Sequence, residues 1–231
     1  QAEGSCTTNR EKIPLNLRIL ILFTLVILPA GTLFAETSEQ QALDAIQRQY
    51  EKVSTFEADF TQRSYVKMMN QTQSVKGTVK IKKPGKMKWV YGAPDTQILI
   101  SDGKNLWLYV PEEEQATRVP VESIYSSNTP ALFLAGKGKL TQSFNVESVS
   151  EENKNILVTL VPKNDDQGLA RLILHADKKN YQITGSTVYD KLGNKTEIRF
   201  SQIRINREIP EEQFQLKTPP GVEILDYTQT P

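Results

Sequence analysis

From Phe56 onward the chain is written in short segments of period two, and this pattern constrains the fold more than any other feature. Phe56, Ala58 and Phe60 alternate with Glu57, Asp59 and Thr61. Val75, Gly77, Val79 and Ile81 alternate with Lys76, Thr78, Lys80 and Lys82, and Met87, Trp89 and Tyr91 with Lys88 and Val90. Successive side chains of a strand point to opposite faces, so each segment reads as a strand with one apolar side. Turn signals separate them: Pro84-Gly85, Gly92-Ala93-Pro94-Asp95 and Asp102-Gly103. Asp-Gly suits the positive φ of a tight hairpin. Further segments follow near 114–119, 144–150, 155–162, 170–175, 182–190 and 195–207. The expectation is about eleven antiparallel strands in up-and-down order, and one sheet of that many strands must curl or close.

Helical signals are few. Ser38-Glu39-Gln40-Gln41 has the form of a capping box, and Ala42, Leu43, Ile46, Tyr50 and Val53 follow at helical spacing, predicting a helix over 39–52. Residues 121–126 and 130–135 read as two short helices, the second apolar on all sides at Ala131, Leu132, Phe133 and Leu134. A helical turn is expected at 210–214. The predicted architecture is mainly β with an α lid: a curled antiparallel half-barrel covered by short helices. No repeat or low-complexity linker divides residues 36–231, so they are read as one domain.

A curled sheet with so small a lid is expected to leave an apolar hollow. The hairpin from Gln97 to Val110 sharpens the point. Ile98, Leu99 and Ile100 are consecutive, as are Leu106, Trp107, Leu108, Tyr109 and Val110, so both faces of this hairpin need cover. Trp107 and Tyr109 share one face, Leu106 and Leu108 the other. The lining of the hollow is expected to be Phe56, Phe60, Val79, Ile81, Met87, Trp89, Tyr91, Ile98, Ile100, Trp107 and Tyr109 from the sheet, with Leu132 and Phe133 from the lid.

Arg10, Lys12 and Arg18 precede an apolar run from Ile19 to Leu28, followed by Pro29, Gly31 and Ala35. This is the order of a secretory signal peptide, expected over 1–35. The run is too short for a comfortable membrane span. The lone cysteine, Cys6, lies before it, so the exported part is expected to hold neither disulfide nor thiolate. The net charge of +1, without a basic block interleaved with aromatics, gives nucleic acid no footprint.

Catalytic signals are missing. There is no nucleophile elbow, zinc-binding helix, phosphate loop or dinucleotide fingerprint. Gly136-Lys137-Gly138-Lys139 lacks phosphate-loop spacing, and Asp165-Asp166 has no third clustered ligand for calcium. His175, the only histidine, reads as a surface or turn residue. No enzyme activity, metal or cofactor is expected. Lys82-Lys83-Pro84-Gly85-Lys86 reads either as a solvated hairpin tip or as one that sends Lys83 inward. If Val79, Ile81, Met87 and Trp89 face inward, Lys83 shares their side and needs partners such as the free carbonyls of a lid-helix end.

At these residues the chain resembles the LolA family of periplasmic lipoprotein carriers. The carrying pieces are Val53 to Gln62, Lys83-Pro84 with Trp89 beyond, and Ile98-Leu99-Ile100-Ser101-Asp102-Gly103-Lys104-Asn105-Leu106-Trp107-Leu108-Tyr109. Glu114-Gln115-Ala116-Thr117, Asn128-Thr129-Pro130, Phe214 and Thr218-Pro219-Pro220-Gly221-Val222 complete the set. The resemblance implies a half-open barrel of eleven strands whose hollow accepts the acyl chains of lipoproteins. It implies a basic residue before Pro84 that fastens the lid through backbone carbonyls: Lys83 here, where arginine is usual, with Tyr50, Leu134 and Ala135 at the matching positions.

The implied partners are acylated outer-membrane lipoproteins, an inner-membrane ATP-driven transporter as donor and a LolB-like outer-membrane receptor as acceptor, with the carrier a periplasmic monomer. An alternative on the same fold is a periplasmic regulator that senses stray lipoprotein in envelope stress. Such regulators carry an additional C-terminal domain, for which little sequence is expected after Val222. A membrane-anchored receptor would need a cysteine after the signal, where Glu36 and Thr37 stand.

Overall fold

The computed structural model describes residues 38–94, 96–121, 139–164 and 168–228. The helices expected at 121–126 and 130–135 therefore lie, but for Val121, outside the described residues, as does the expected signal segment. Helix α1 (Ser38–Glu51) is followed by β1 (Thr55–Val66), β2 (Gln71–Lys82), β3 (Lys86–Tyr91), β4 (Gln97–Asp102), β5 (Asn105–Val110) and β6 (Gln115–Pro120). Then come the one-turn helix α2 (Leu140–Ser143), β7 (Phe144–Glu152), β8 (Asn155–Pro162), β9 (Leu169–Asp177), β10 (Ile183–Asp190), β11 (Lys195–Ile205), a 3-10 turn at Glu211–Phe214 and β12 (Glu223–Asp226).

All twelve strands form one open, curled sheet in the order β12-β6-β5-β4-β3-β2-β1-β11-β10-β9-β8-β7. Within β1–β6 and within β7–β11, sequence neighbours pair antiparallel, as the up-and-down pattern predicts. Two pairings join distant segments. β1 lies beside β11, and β12 lies parallel to β6. The register between β1 and β11 shifts at Glu57/Asp59, and such a bulge adds twist and bends a strand. The twelfth strand and α2 are additions to the expected set.

One face of the sheet, the inner face, carries α1. Ala42, Leu43, Ile46 and Tyr50 of the helix pack with Phe56, Ala58, Phe60, Val79, Ile81, Met87 and Trp89 of β1–β3 in one apolar cluster. The same cluster holds Val158, Leu160, Leu172, Leu174, Ile183 and Phe200 of β8–β11. Gln47, also buried, ties the two helices: its Oε1 accepts from the Leu140 backbone N–H at 3.0 Å, and its Nε2 donates to Glu51 Oε1 at 2.9 Å. A free amide at the start of α2 is thereby satisfied.

Gly77 marks the tightest point of the inner face. It stands opposite both Phe60 and Tyr91. A Cβ there would sit 2.1 Å from the Val90 carbonyl oxygen and 2.6 Å from the Phe60 ring. Gly77→Ala should therefore cost about 1–3 kcal/mol, the usual penalty of overpacking, read as a lower urea midpoint with unchanged slope. A neutral result would mean that the ring and the β2–β3 backbone have slack the geometry does not show.

Candidate functional site

Direct cross-strand partners share a face, so the register from β2 outward assigns every lining candidate. Phe56 opposes Ile81, and Ala58 opposes Val79. Val79 opposes Trp89, and Ile81 opposes Met87. Phe56, Phe60, Val79, Ile81, Met87, Trp89 and Tyr91 thus stand together on the inner face. The Phe60 ring meets Trp89 and Tyr91 edge-on, each at 5.1 Å between centroids. Phe200 meets Phe56 at 5.2 Å and Trp89 at 6.2 Å.

The four candidates from the Gln97–Val110 hairpin are not part of this wall. Trp89 opposes Leu99, Leu99 opposes Leu108, and Ser101 opposes Leu106. The inner face therefore takes Leu99, Leu106 and Leu108, while Ile98, Ile100, Trp107 and Tyr109 take the outer face. Both parities of this hairpin are apolar, so alternation carries no direction, and the pairing with β3 decides it. The outer side has its own cover. Ile98 and Ile100 border a gap of about 170 Å³ that Gln213, Gln215 and Leu216 also line. Arg118 lies over the Trp107 ring at 5.1 Å, and Ala116 sits opposite Tyr109.

The C-terminal segment is held on that outer face by the lysines that alternate with the inner wall. Lys80 Nζ donates to Gln213 Oε1 at 3.1 Å, and Lys82 Nζ donates to the Ile209 carbonyl at 3.0 Å. Glu211 pairs with Lys82 at 2.6 Å and with Lys86. Hydrogen bonds from these two ammonium groups bring the Glu211 carboxyl down to about 2. Phe214 and Ile209, both buried, give the segment its apolar anchor.

Lys83 takes the other direction. Its Nζ donates to the Tyr50 carbonyl and lies 3.2 Å from the centroid of the Tyr50 ring. Tyr50 is in the last turn of α1, where carbonyls lack helical partners and the helix dipole favours a cation. Burial lowers the ammonium from its ordinary 10.5 to about 8, against a smaller upward pull from Glu51. Leu134 and Ala135, the remaining latch candidates, and Leu132 and Phe133 of the lining lie outside the described residues.

Beneath this contact is a recess lined by Tyr50, Val53, Phe56, Ile81, Lys83 and Ile183, with about 20 Å³ of free space. That is room for about one water molecule. Here the end of α1 and the wall side chains pack against one another.

His175 corrects a sequence expectation. It is 3% exposed in mid-strand, with Nε2 3.0 Å from Thr187 Oγ1. Gly185 lies opposite both His175 and Arg199, and a Cβ there would sit 2.4 Å from the Ile198 carbonyl oxygen and 3.2 Å from the Arg199 side chain. Burial first, then Arg199, lowers the imidazole to about 4. Among the described residues no group of His, Cys, Asp and Glu side chains could hold a metal ion, and no helix is long and apolar enough to cross a membrane.

Comparison with known sequences decides the family. A family model described as outer membrane lipoprotein carrier protein LolA matches residues 51–217. The chain belongs to the LolA family. An outer-membrane lipoprotein carrier protein of Hahella chejuensis is 32% identical over 211 residues, 90% of this chain and 98% of that relative. One from Pseudomonas putida strain GB-1 is 31% identical over 90% of this chain and 98% of its own length. Among solved structures, an uncharacterized conserved protein from Thermus thermophilus shares the fold at TM-score 0.54 and 13% identity, covering 82% of this chain and 99% of that one. Leu99, Leu106 and Phe200 stand with the inner-face cluster, and sequence reasoning does not place them there. Carrying the parity of Trp89 across to Leu99 would find the two hairpin leucines.

Proposed function

We propose that this protein carries acylated lipoproteins through the periplasm from the inner to the outer membrane, holding their acyl chains against the inner face of the sheet. The observation that carries this reading is the inner wall itself: one aliphatic and aromatic cluster from β1 to β11, roofed by a helix whose C-terminal turn is tied to Lys83. Relatives about as long as this chain, named outer-membrane lipoprotein carrier proteins, support it.

The physical need is large. Burying one CH₂ is worth about 0.8 kcal/mol, so one long acyl chain left in water costs on the order of 10 kcal/mol. A carrier must cover the chains and still give them up. A wall that packs against its own helix when empty meets both demands, because cargo replaces one set of apolar contacts with another and the net preference stays small. The chain carries no phosphate-loop motif to drive loading. The family implies an inner-membrane ATP-driven transporter as the donor and a LolB-like receptor as the acceptor. The carrier does no chemistry on its cargo and works as a monomer.

The test uses a fluorescent hydrophobic probe and a triacylated lipoprotein. The purified protein should take up the probe, and the acylated lipoprotein should displace it while its unacylated form does not. No uptake with the fold intact, or equal displacement by both forms, would overturn the reading. Release of free fatty acid during the same incubation would replace it with an esterase.

A further inference from the structure

The turn joining β1 to β2 and the turn joining β10 to β11 adjoin at one end of the sheet. The Lys67 backbone N–H donates to Asn194 Oδ1 at 2.9 Å, and Lys67 packs over Gly193. Both turns are pinned. Asn194 donates to Asp190 through its backbone N–H at 2.8 Å and its side-chain amide at 2.7 Å. Tyr65 Oη donates to Asn70 Oδ1 at 3.2 Å.

On this pinned base stand Met68, Met69 and Leu192, exposed by 95%, 58% and 77%. Single exposed apolar residues are ordinary. Here half of the six large exposed hydrophobic residues among the described ones fall on two adjoining turns. The chain has three methionines in all, and two of them are here. The first turn, residues 67–70, contributes Lys67 and no acidic residue; the second is closed by Asp190, whose carboxylate is taken up by Asn194. The end is also defined. Val66 opposes Gln71 at the tip, while Thr55 opposes Lys82 at the other end of the same hairpin, next to the Lys83–Tyr50 contact.

We propose that this tip docks the protein on the surface of an anionic phospholipid bilayer, Met68, Met69 and Leu192 entering the acyl boundary while Lys67 meets lipid phosphate. Apolar side chains on a narrow end with a lysine beside them match the interfacial region of a membrane. A protein partner is the poorer fit. Three side chains of under about 200 Å² each fall short of the ~800 Å² that each partner gives to a stable interface. Docking by the tip leaves the opposite end of the hairpin, with Lys83 and the end of α1, facing away from the bilayer.

The test places an environment-sensitive fluorophore at Gln71→Cys, in a Cys6→Ser chain so that the label is unique. Gln71 is exposed beside the tip. With vesicles of phosphatidylethanolamine and phosphatidylglycerol, emission should shift to the blue and be quenched by bromine on the lipid chains. The same label at Lys154→Cys, on the β7–β8 turn at the other end of the sheet, should do neither. That local readout separates the tip from the apolar run at 19–28.

Met68→Ser, Met69→Ser and Leu192→Ser together should raise the lipid concentration needed at least tenfold. Lys67→Gln should raise it several-fold at low salt and less at high salt. No shift at position 71, the same response at 154, or an unchanged triple variant would overturn the proposal. Equal response to phosphatidylcholine vesicles would overturn the role given to Lys67. Probe uptake without tip insertion sinks this inference alone. Tip insertion without probe uptake sinks only the cargo reading.

Discussion

Phe60→Ala is expected to lower the free energy of unfolding by about 3–5 kcal/mol, a large share of what holds a domain of this size together. Phe60 is 1% exposed. Its ring touches Trp89 and Tyr91 edge-on and fills the space that Gly77 leaves open. Deleting it removes the buried ring and two aromatic pairs, worth about 0.5–1.5 kcal/mol each beyond their area. Gly77 has no side chain with which to refill the space. The measurement is a urea unfolding curve, with Leu192→Ala on the exposed β10–β11 turn as a control expected within about 0.5 kcal/mol of wild type. Phe60→Leu serves if the alanine variant does not fold, at a smaller cost of the same sign.

The same substitution probes function. If cargo must displace the closed packing, weakening that packing raises the fraction of open protein and with it the apparent affinity for an acyl probe. Lower stability with stronger probe uptake is the expected pair. Lower stability with weaker uptake would mean that the ring is a contact for the probe and not a competitor of it.

The parts of this fold legible in the sequence are those with one wet and one dry side. β1, β2 and β3 alternate apolar and charged residues, and the structure assigns those two sets to the inner wall and to the outer face that binds the C-terminal segment. The turn at Asp102-Gly103 is legible because Gly103 takes φ +96, a conformation that few other residues accept. Where both sides are apolar, the pattern loses its direction. Ile98 and Leu99 are equally apolar, and only the pairing of Leu99 with Trp89 shows which one looks inward.

β12 and α2 are illegible for another reason. Each has four residues, too few for any period. β12 exists because of its pairing with β6, more than a hundred positions earlier in the chain. His175 misleads because its surroundings come from Gly185 and Thr187, which are neighbours across the sheet and not along the chain. The Lys83 contact needs both kinds of information. Its parity follows from Ile81 and Trp89, whereas its acceptor belongs to α1 and can be named only from the family resemblance.

Lys83→Leu is expected to remove a pH dependence and to alter cargo handover together. The ammonium of Lys83 titrates at about 8 in the folded protein, against 10.5 for the free side chain, mainly through burial. Below pH 8 both folded and unfolded chains hold the proton, and the cost of burying the charge is fully present. Between pH 8 and 10.5 the unfolded chain holds it and the folded chain does not, so stability gains from this group as pH rises. In Lys83→Leu that gain should vanish from the difference between the two unfolding curves.

At pH 7 about nine-tenths of the protein still carries the charge, so the bond to the Tyr50 carbonyl is charge-assisted under working conditions. Such a bond contributes roughly 1.5–3 kcal/mol before the cost of burial. What remains holds the end of α1 against the sheet. Losing it should ease opening, tighten acyl-probe binding by about three- to tenfold, and slow transfer to an acceptor by a similar factor. Lys83→Arg separates charge from titration. Arginine keeps a cation and a donor at the helix end but does not deprotonate in this range. It should hold handover near the wild-type rate while removing the rise in stability between pH 8 and 10.5. If Lys83→Arg and Lys83→Leu hand over cargo equally slowly, the contact with Tyr50 is packing and not a latch.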